Sequence, residues 1–487
     1  MRLPVNLLLS MALLTATASA ATSWPNGPLQ TKGRWITDAS GGRNVTYVGV
    51  SWPAHGETMV PEGLQYRSVA SIVEKVKSLG MNAIRLTYAI EMIDQVYEND
   101  GKDVPIWDAF VAALGKENGT KVFGEVVNNN PEFGESTTRL EVFDAIAAEC
   151  AKQQIYLHLD NHVSKASWCC NPFDGNSWWE DKFFDTENWL RGLSFMARHG
   201  KRWPALTSMS LRNELRQPLT NTTLYRESYN WQTWYKYTLL GAKAINTLHP
   251  DLLIFLSGID SDTNLTAVVE QTALPGTHKF SVNDFNLAKP NKLLLELHTY
   301  ITPRDCPSFK ETLSKAGFGV LAGDSGLEIP LMMTEFGWTQ DATTWDSTVY
   351  AKCLREFLPE QKVGWMIWVL AGSYYIREGK QDYDEGWGLV TKDWKAWRSP
   401  EFIEGGLKPM VKKTLEGLAI GGTDDDGEGR GSEEGGNGGG ATATTTTASS
   451  GPTSTSAASS WRGDREWVFR VVLMCSLPSY LTYFACW

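Results

Sequence analysis

The stretch Leu206-Thr207-Ser208-Met209-Ser210-Leu211-Arg212-Asn213-Glu214 begins as a short apolar run and stops on polar groups that carry chemistry. A run of this length between polar flanks reads as a buried strand. The same plan recurs along the chain, at 47–50, 83–86, 155–159, 252–256, 293–297, 331–334 and 364–370. With 206–211 that makes eight strand candidates. Amphipathic segments lie between them. In 68–79 the apolar residues Val69, Ile72, Val73, Val76 and Leu79 fall at helical spacing. Eight strands alternating with helices predict an α/β fold with parallel strands, most simply a closed (β/α)8 TIM barrel with inserted loops. The alternative, a doubly wound open sheet, finds no Gly-rich phosphate loop after its first strand. Arg85 and His158 are 73 positions apart, whereas Glu335 and Trp368 are 33 apart. The extra length predicts an insertion on the face where such barrels build their sites.

Polar residues stand at or just past six of these runs: Arg85, His162, Asn213 with Glu214, His298 with Tyr300, Glu335, and Trp368. All strand C-termini of a parallel barrel open onto one face, so these side chains are expected to converge. Ion pairing at a strand end would explain one of them; it does not explain six strands each supplying one. Glu214 and Glu335 are carboxylates on different strands. Cleaving a glycosidic bond takes one carboxylic acid to protonate the leaving oxygen and a second carboxylate opposite it, and a gap of about 5 Å means retention of configuration. Asn213 can hydrogen-bond a sugar 2-hydroxyl. Arg85 and Tyr300 can keep Glu335 ionised by charge and hydrogen bonding, and His162 and His298 can orient the substrate or the acid.

Together these residues resemble the family-5 glycoside hydrolases, the cellulase family of a large retaining clan. The resemblance runs over 35–397 and rests on Arg85, His162, the Asn213-Glu214 pair, His298 with Tyr300, Glu335 in Thr-Glu-Phe-Gly-Trp, and Trp368. It implies that Glu214 is the acid/base, Glu335 the nucleophile and Trp368 the platform under the bound sugar. The stretch Leu159-Asp160-Asn161-His162-Val163-Ser164-Lys165, followed by Trp168-Cys169-Cys170, is similar to a plant-and-fungal branch of that family. The expected activity is hydrolysis of internal β-1,4 bonds of a β-linked glucan, with no cofactor and no metal. The partner is then a β-linked polysaccharide or oligosaccharide, met at a cell surface or wall, by a monomer. The alternatives are the same fold acting on mannan, β-1,3-glucan or a glycolipid, and a non-catalytic carbohydrate-binding wall protein. The presence of both glutamates counts against the last.

Composition agrees with this reading. Against 45 Lys+Arg stand 56 Asp+Glu, a net charge of −11 over 487 residues. Without clustered basic residues, that balance argues against nucleic acid as a partner. Hydrophobic residues at 42% and charged residues at 21% fit a globular chain, and no interior run is long enough to span a bilayer. The 21 Trp are more than a core needs, and a groove stacking flat sugar faces would use the surplus. Trp178-Trp179, in the long segment after the third strand, is the better such candidate; Trp231 and Trp234 line a cleft or pack. His158 reads as a packed core histidine. Asp174-Gly175-Asn176 with Glu180 and Asp181 could ligate calcium, but the spacing favours a solvated surface.

Residues 1–20 read as a signal peptide, with Arg2, an apolar stretch at 7–14 and Ala18-Ser19-Ala20. The sequons at Asn44, Asn118, Asn221 and Asn264 agree with export and glycosylation. That leaves a catalytic domain at 21–420. A Gly-rich, acidic, then Thr/Ser-rich segment at 421–466 reads as a disordered stalk. The apolar stretch at 467–487 reads as an anchor signal interrupted by Arg470 and Pro478, or as a plain extension. Of seven cysteines, Cys150 reads as a buried thiol and Cys475 and Cys486 fall in the tail. Sequence neighbours rarely bridge each other, so Cys169 or Cys170 is expected to reach a distant partner such as Cys306.

Overall fold

The computed structural model describes residues 24–419, apart from 25–26, 40–41, 275–277 and 325. The chain divides after Thr423, and all described residues belong to the first unit. The leader at 1–20, the stalk at 421–466, the segment at 467–487 and Cys475 and Cys486 lie outside the described residues.

Eight strands close into a parallel barrel: β1 (Val48–Trp52), β2 (Ala83–Ala89), β3 (Tyr156–Val163), β4 (Leu206–Ser210), β5 (Leu253–Ser257), β6 (Leu293–His298), β7 (Leu331–Glu335) and β8 (Trp365–Ile367). Each overlaps one predicted run, and helices make the crossovers, so the (β/α)8 arrangement is the one expected. Closure is by β8 on β1, with Trp365 beside Val48 and Ile367 beside Val50. Two strands run three or more residues past their predicted ends: β2 continues to Ala89, and β3 takes in Asp160, Asn161 and His162. His158, Asp160 and His162 can stay inside β3 because they pair with polar neighbours in and above the lumen, Ser208, Ser210, Arg85 and one another. Register sets Ser51, Arg85, His158 and Ser208 side by side, with Thr87, Asp160 and Ser210 in the next layer toward the mouth.

Helices are fixed to the barrel by caps and indole rings. Ser68 caps Val69–Lys77 by accepting from the Ser71 amide, and Thr138 and Glu141 form a reciprocal capping box on Arg139–Gln153. Seven tryptophans, Trp52, Trp178, Trp179, Trp189, Trp234, Trp365 and Trp394, are under 2% exposed. The ring surplus is therefore spent largely in the core. Trp189 and Trp234 donate to the carbonyls of Leu211 and Ser257 at 2.9 and 2.8 Å, tying their helices to the ends of β4 and β5.

The two ends of the barrel differ. Before β1, the strands Leu29–Lys32 and Trp35–Asp38 pair antiparallel. Their Leu29 and Ile36 join Tyr47, Ala83, Tyr156, Leu253, Phe255, Leu294, Met332 and Met366 in a separate apolar cluster. Most of those residues lie at the starts of barrel strands, so this hairpin plugs the floor. At the other end, the insertion after β2 forms the helices Ile106–Leu114 and Lys116–Asn129. It packs on the hairpin β9 (Ser373–Arg377) and β10 (Lys380–Asp384), which follows β8. Phe110 meets Tyr375 edge-on at 4.8 Å, and Gln381 donates to the Leu114 carbonyl. The insertion thus lies on the expected face.

The cysteines pair otherwise than expected. Cys169 bonds to its neighbour Cys170, and Cys306 bonds to Cys353, tying the helix after β6 to the helix after β7. Cys150 is free and buried, as predicted.

Candidate active site

All eight sequence-predicted site residues meet at the C-terminal mouth of the barrel. Arg85 is fully buried. Its Nη1 donates to Glu335 Oε2 at 2.7 Å and its Nη2 to Asn213 Oδ1 at 2.7 Å, with Asp160 Oδ2 at 3.1 Å. Burial works against the guanidinium charge, but Asp160, Glu335 and Glu296 outweigh it, so Arg85 stays cationic. The other oxygen of Glu335 accepts from the Tyr300 hydroxyl at 2.8 Å. Burial raises the Glu335 pKa, while His298 and Arg85 oppose that rise.

Glu214 stands just past β4 with its backbone at φ +49°, and its amide donates to Asp262 Oδ2 at 2.8 Å. Its Oε1 lies 3.2 Å from His298 Nδ1. Burial pushes the Glu214 carboxyl up to about 7. Burial also lowers His298 to about 4, so its imidazole is neutral. One carboxylate oxygen from each of Glu214 and Glu335, and one ring nitrogen of His298, lie within 4.8 Å of one another. This trio has the donor types of a metal site, but the guanidinium on Glu335 Oε2 already neutralises it and would repel a second cation. His162, Cys169 and Cys170 form a second such cluster, and its two sulfurs are bonded to each other.

Rings form the rest of the mouth. Trp368 lies parallel to the His162 ring, with centroids 5.4 Å apart, and meets Trp168 edge-on at 6.2 Å. His162 Nδ1 is 2.6 Å from Asp160 Oδ2. Burial, followed by Arg85, keeps its pKa well below the usual histidine value. Tyr300 packs against Trp387 at 5.6 Å.

Several residues of the site escaped the sequence reading. The His55 ring lies tilted against that of His162, centroids 3.9 Å apart, and its Nδ1 is 2.8 Å from Thr87 Oγ1. It lies just past β1, where the strand-end rule that found the others would have found it had the first run not been stopped at Val50. Asp262 follows β5, the other strand credited with nothing. Asp160 and Glu296 sit inside strands; Glu296 Oε2 accepts from Ser210 and Thr334 at 3.0 and 2.8 Å.

Three weaker expectations resolve as follows. His158 is a core residue, its two nitrogens 2.8 Å from Ser208 Oγ and Ser210 Oγ. Trp178 and Trp179 are both 0% exposed and pack edge-on against each other, so they form no sugar subsite. The Asp174 to Asp181 loop is neither a calcium loop nor a solvated surface. Asp174 Oδ1 accepts from the Asn176 amide, Asp181 Oδ2 from the Ser177 amide, and Asn176 Oδ1 from the Ser164 and Lys165 amides. Asn176 and Asp181 are buried. Asp174 and Asp181 staple the loop's own backbone, and Asn176 ties it to the segment leaving β3.

Comparison with known proteins gives the chain its family. The family Cellulase (glycosyl hydrolase family 5) matches residues 43–373. A glycosyl hydrolase 5 family protein of Chamaecyparis obtusa is 32% identical over 410 residues, covering 81% of this chain and 68% of that one. An endoglucanase of Paenibacillus polymyxa is 21% identical over 413 residues, covering 81% and 90%. Among solved structures, the endocellulase of Pyrococcus horikoshii in complex with cellotetraose has a TM-score of 0.56 at 18% identity, covering 79% of this chain and 98% of its own. The catalytic domain of the major endoglucanase of Xanthomonas campestris has a TM-score of 0.55 at 18% identity, covering 80% and 99%. At such identities these structures speak for the barrel alone. The matched family spans more than half of the chain, and a relative above 30% identity covers most of it; the chain belongs to the cellulase family, glycosyl hydrolase family 5.

Proposed function

We propose that this glycoside hydrolase cuts internal β-1,4 bonds of a glucan with retention of configuration, Glu214 serving as acid/base and Glu335 as nucleophile. The observation that carries the reading is the approach of the two carboxylates to within 4.8 Å. Inverting enzymes hold a water between carboxyl groups about 6.5–9.5 Å apart, whereas about 5 Å suits direct attack. Electrostatics favours the same division of labour. Glu214, pushed to about 7, keeps a proton to give; Glu335, gripped by Arg85 and Tyr300, is the better carboxylate. In the first step Glu335 bonds to the anomeric carbon as that carbon's bond to the leaving oxygen breaks and Glu214 protonates the oxygen. In the second, Glu214 takes a proton from water, the water oxygen bonds to the anomeric carbon, and Glu335 is released. Asn213 donates to the sugar 2-hydroxyl, and Trp368 lies under the ring. The endoglucanase relative and the endocellulase bound to cellotetraose support a β-glucan as substrate.

We read the chain as exported, on the leader at 1–20 and the four sequons; the exposed side chains of Asn118 and Asn221 suit glycosylation. For the chemistry, Glu335→Gln is expected to abolish turnover, since an amide neither attacks nor carries the glycosyl group. Glu214→Gln is expected to slow natural substrates about 10²–10⁴-fold yet spare glycosyl-enzyme formation from activated aryl glycosides, which need no acid. Proton NMR should find the β-anomer as first product. Substantial activity of either variant on natural substrates, or the α-anomer, would sink the assignment.

A further inference from the structure

The bonded pair Cys169–Cys170 sits against the side chain of Asn213. The amide nitrogen Nδ2 of Asn213 donates to Cys169 Sγ at 3.6 Å and to Cys170 Sγ at 3.4 Å. Its oxygen Oδ1 is engaged by Arg85 Nη2 at 2.7 Å. The Asn213 backbone is held as well, its amide donating to the Asn161 carbonyl at 2.9 Å. The side-chain amide is thus gripped at both ends, by a strong donor on its oxygen and by two sulfurs on its nitrogen.

The chemistry of the two grips is unequal. A guanidinium donor fixes the oxygen firmly. Disulfide sulfur has no proton to donate and accepts only weakly. A weak acceptor can therefore aim the Nδ2 hydrogens without satisfying them, and a hydroxyl oxygen arriving beside them will take over. A thiol would bring an S–H donor of its own against the same NH2 group. A serine hydroxyl would be a strong acceptor and would compete with a ligand. Cys169 is buried and Cys170 only partly so, which sets the pair in the wall of the mouth. The neighbouring residue, Trp168, leans edge-on toward Trp368.

We propose that the Cys169–Cys170 pair is a positioning element for the reaction: it presents the Asn213 amide to the substrate hydroxyl next to the anomeric carbon. This rests on the reading that Asn213 binds that hydroxyl. The pair acts only through Asn213, so its removal weakens catalysis in proportion to what the hydroxyl contributes.

The test compares 2,4-dinitrophenyl β-cellobioside with its counterpart lacking the 2-hydroxyl on the reacting unit, using the full-length enzyme. In the unaltered enzyme the 2-hydroxy substrate should be strongly preferred. In the double variant Cys169→Ala/Cys170→Ala, kcat/KM on the 2-hydroxy substrate should fall about tenfold, one hydrogen bond's worth. On the 2-deoxy substrate it should change less than twofold. Should the alanine pair fail to fold, reduction gives the same readout in a Cys306→Ala/Cys353→Ala background. There one phosphine and one water turn the remaining S–S bond into two S–H groups and a phosphine oxide. An equal fall on both substrates would mean a merely structural role and overturn the proposal, as would no fall on either. An unaltered enzyme indifferent to the 2-hydroxyl would instead remove the Asn213 reading, and the proposal with it.

Discussion

Glu214 occupies a left-handed backbone conformation, φ +49°, which non-glycine residues adopt at a cost. The Asp262 side chain, whose Oδ2 accepts from the Glu214 amide, holds it there. The Glu214 side chain lies beside neutral His298 and is buried, and it is the burial that raises its carboxyl from 4.5 to about 7. A pH consequence follows. On the proposed roles Glu214 must be protonated while Glu335 is ionised, so the activity profile should be a bell whose alkaline limb falls near pH 7 and whose acid limb follows Glu335. Stability moves with the same proton. A carboxyl whose folded pKa is raised holds its proton more tightly folded than unfolded. The stability this lends is complete below about pH 4.5 and lost as pH rises through about 7. Glu214→Gln is therefore expected to melt above the unaltered enzyme at pH 8 and close to it at pH 4, as read by calorimetry. A variant that gained nothing at pH 8 would contradict the burial of this charge. The meeting of Glu214 and Glu335 at one mouth was legible in the sequence, because strand ends and carboxylates are both visible in it. The sequence did not carry Asp262, since nothing in a loop sequence tells which carboxylate folds back onto which amide.

At the scale of elements, the site depends on how closely the ends of β7 and β8 approach. A Cβ on Gly337 would lie 2.1 Å from the Trp368 carbonyl oxygen, so the segment leaving Glu335 touches the segment carrying Trp368, backbone against backbone. Gly337→Ala should push them apart and cost about 1–3 kcal/mol of stability, typical of overpacking. The folded fraction should lose kcat and bind cello-oligosaccharides more weakly, measured by urea unfolding and steady-state kinetics; full activity and stability would refute the contact. The strands themselves were legible as eight apolar runs. Their ends were not, because Asp160, Asn161 and His162 look like a loop until the lumen supplies Arg85 as a partner. Trp178-Trp179 misled for a related reason: an aromatic pair reads the same in sequence whether it faces a groove or, as here, a helix and a neighbouring ring. The cysteines failed differently, since spacing does not encode which sulfurs meet.

At the scale of the molecule, the last described helix, Lys408–Ala419, belongs to the barrel. Trp365 Nε1 donates to Thr414 Oγ1 at 2.9 Å, and Met410 and Val411 are buried. Truncation after Gly421 should leave melting temperature and kcat unchanged, whereas truncation before Lys408 should lower the melting temperature by several degrees at least. A stable shorter form would deny that helix its place in the core. The barrel's two ends also have separate duties. Leu29 and Ile36 seal the floor, and every group proposed for chemistry lies at the mouth. For anyone mounting this enzyme on a solid support, that polarity fixes the attachment point. A tether grafted beside the Leu29–Lys32 strand would face the mouth, with Glu214 and Glu335, away from the surface.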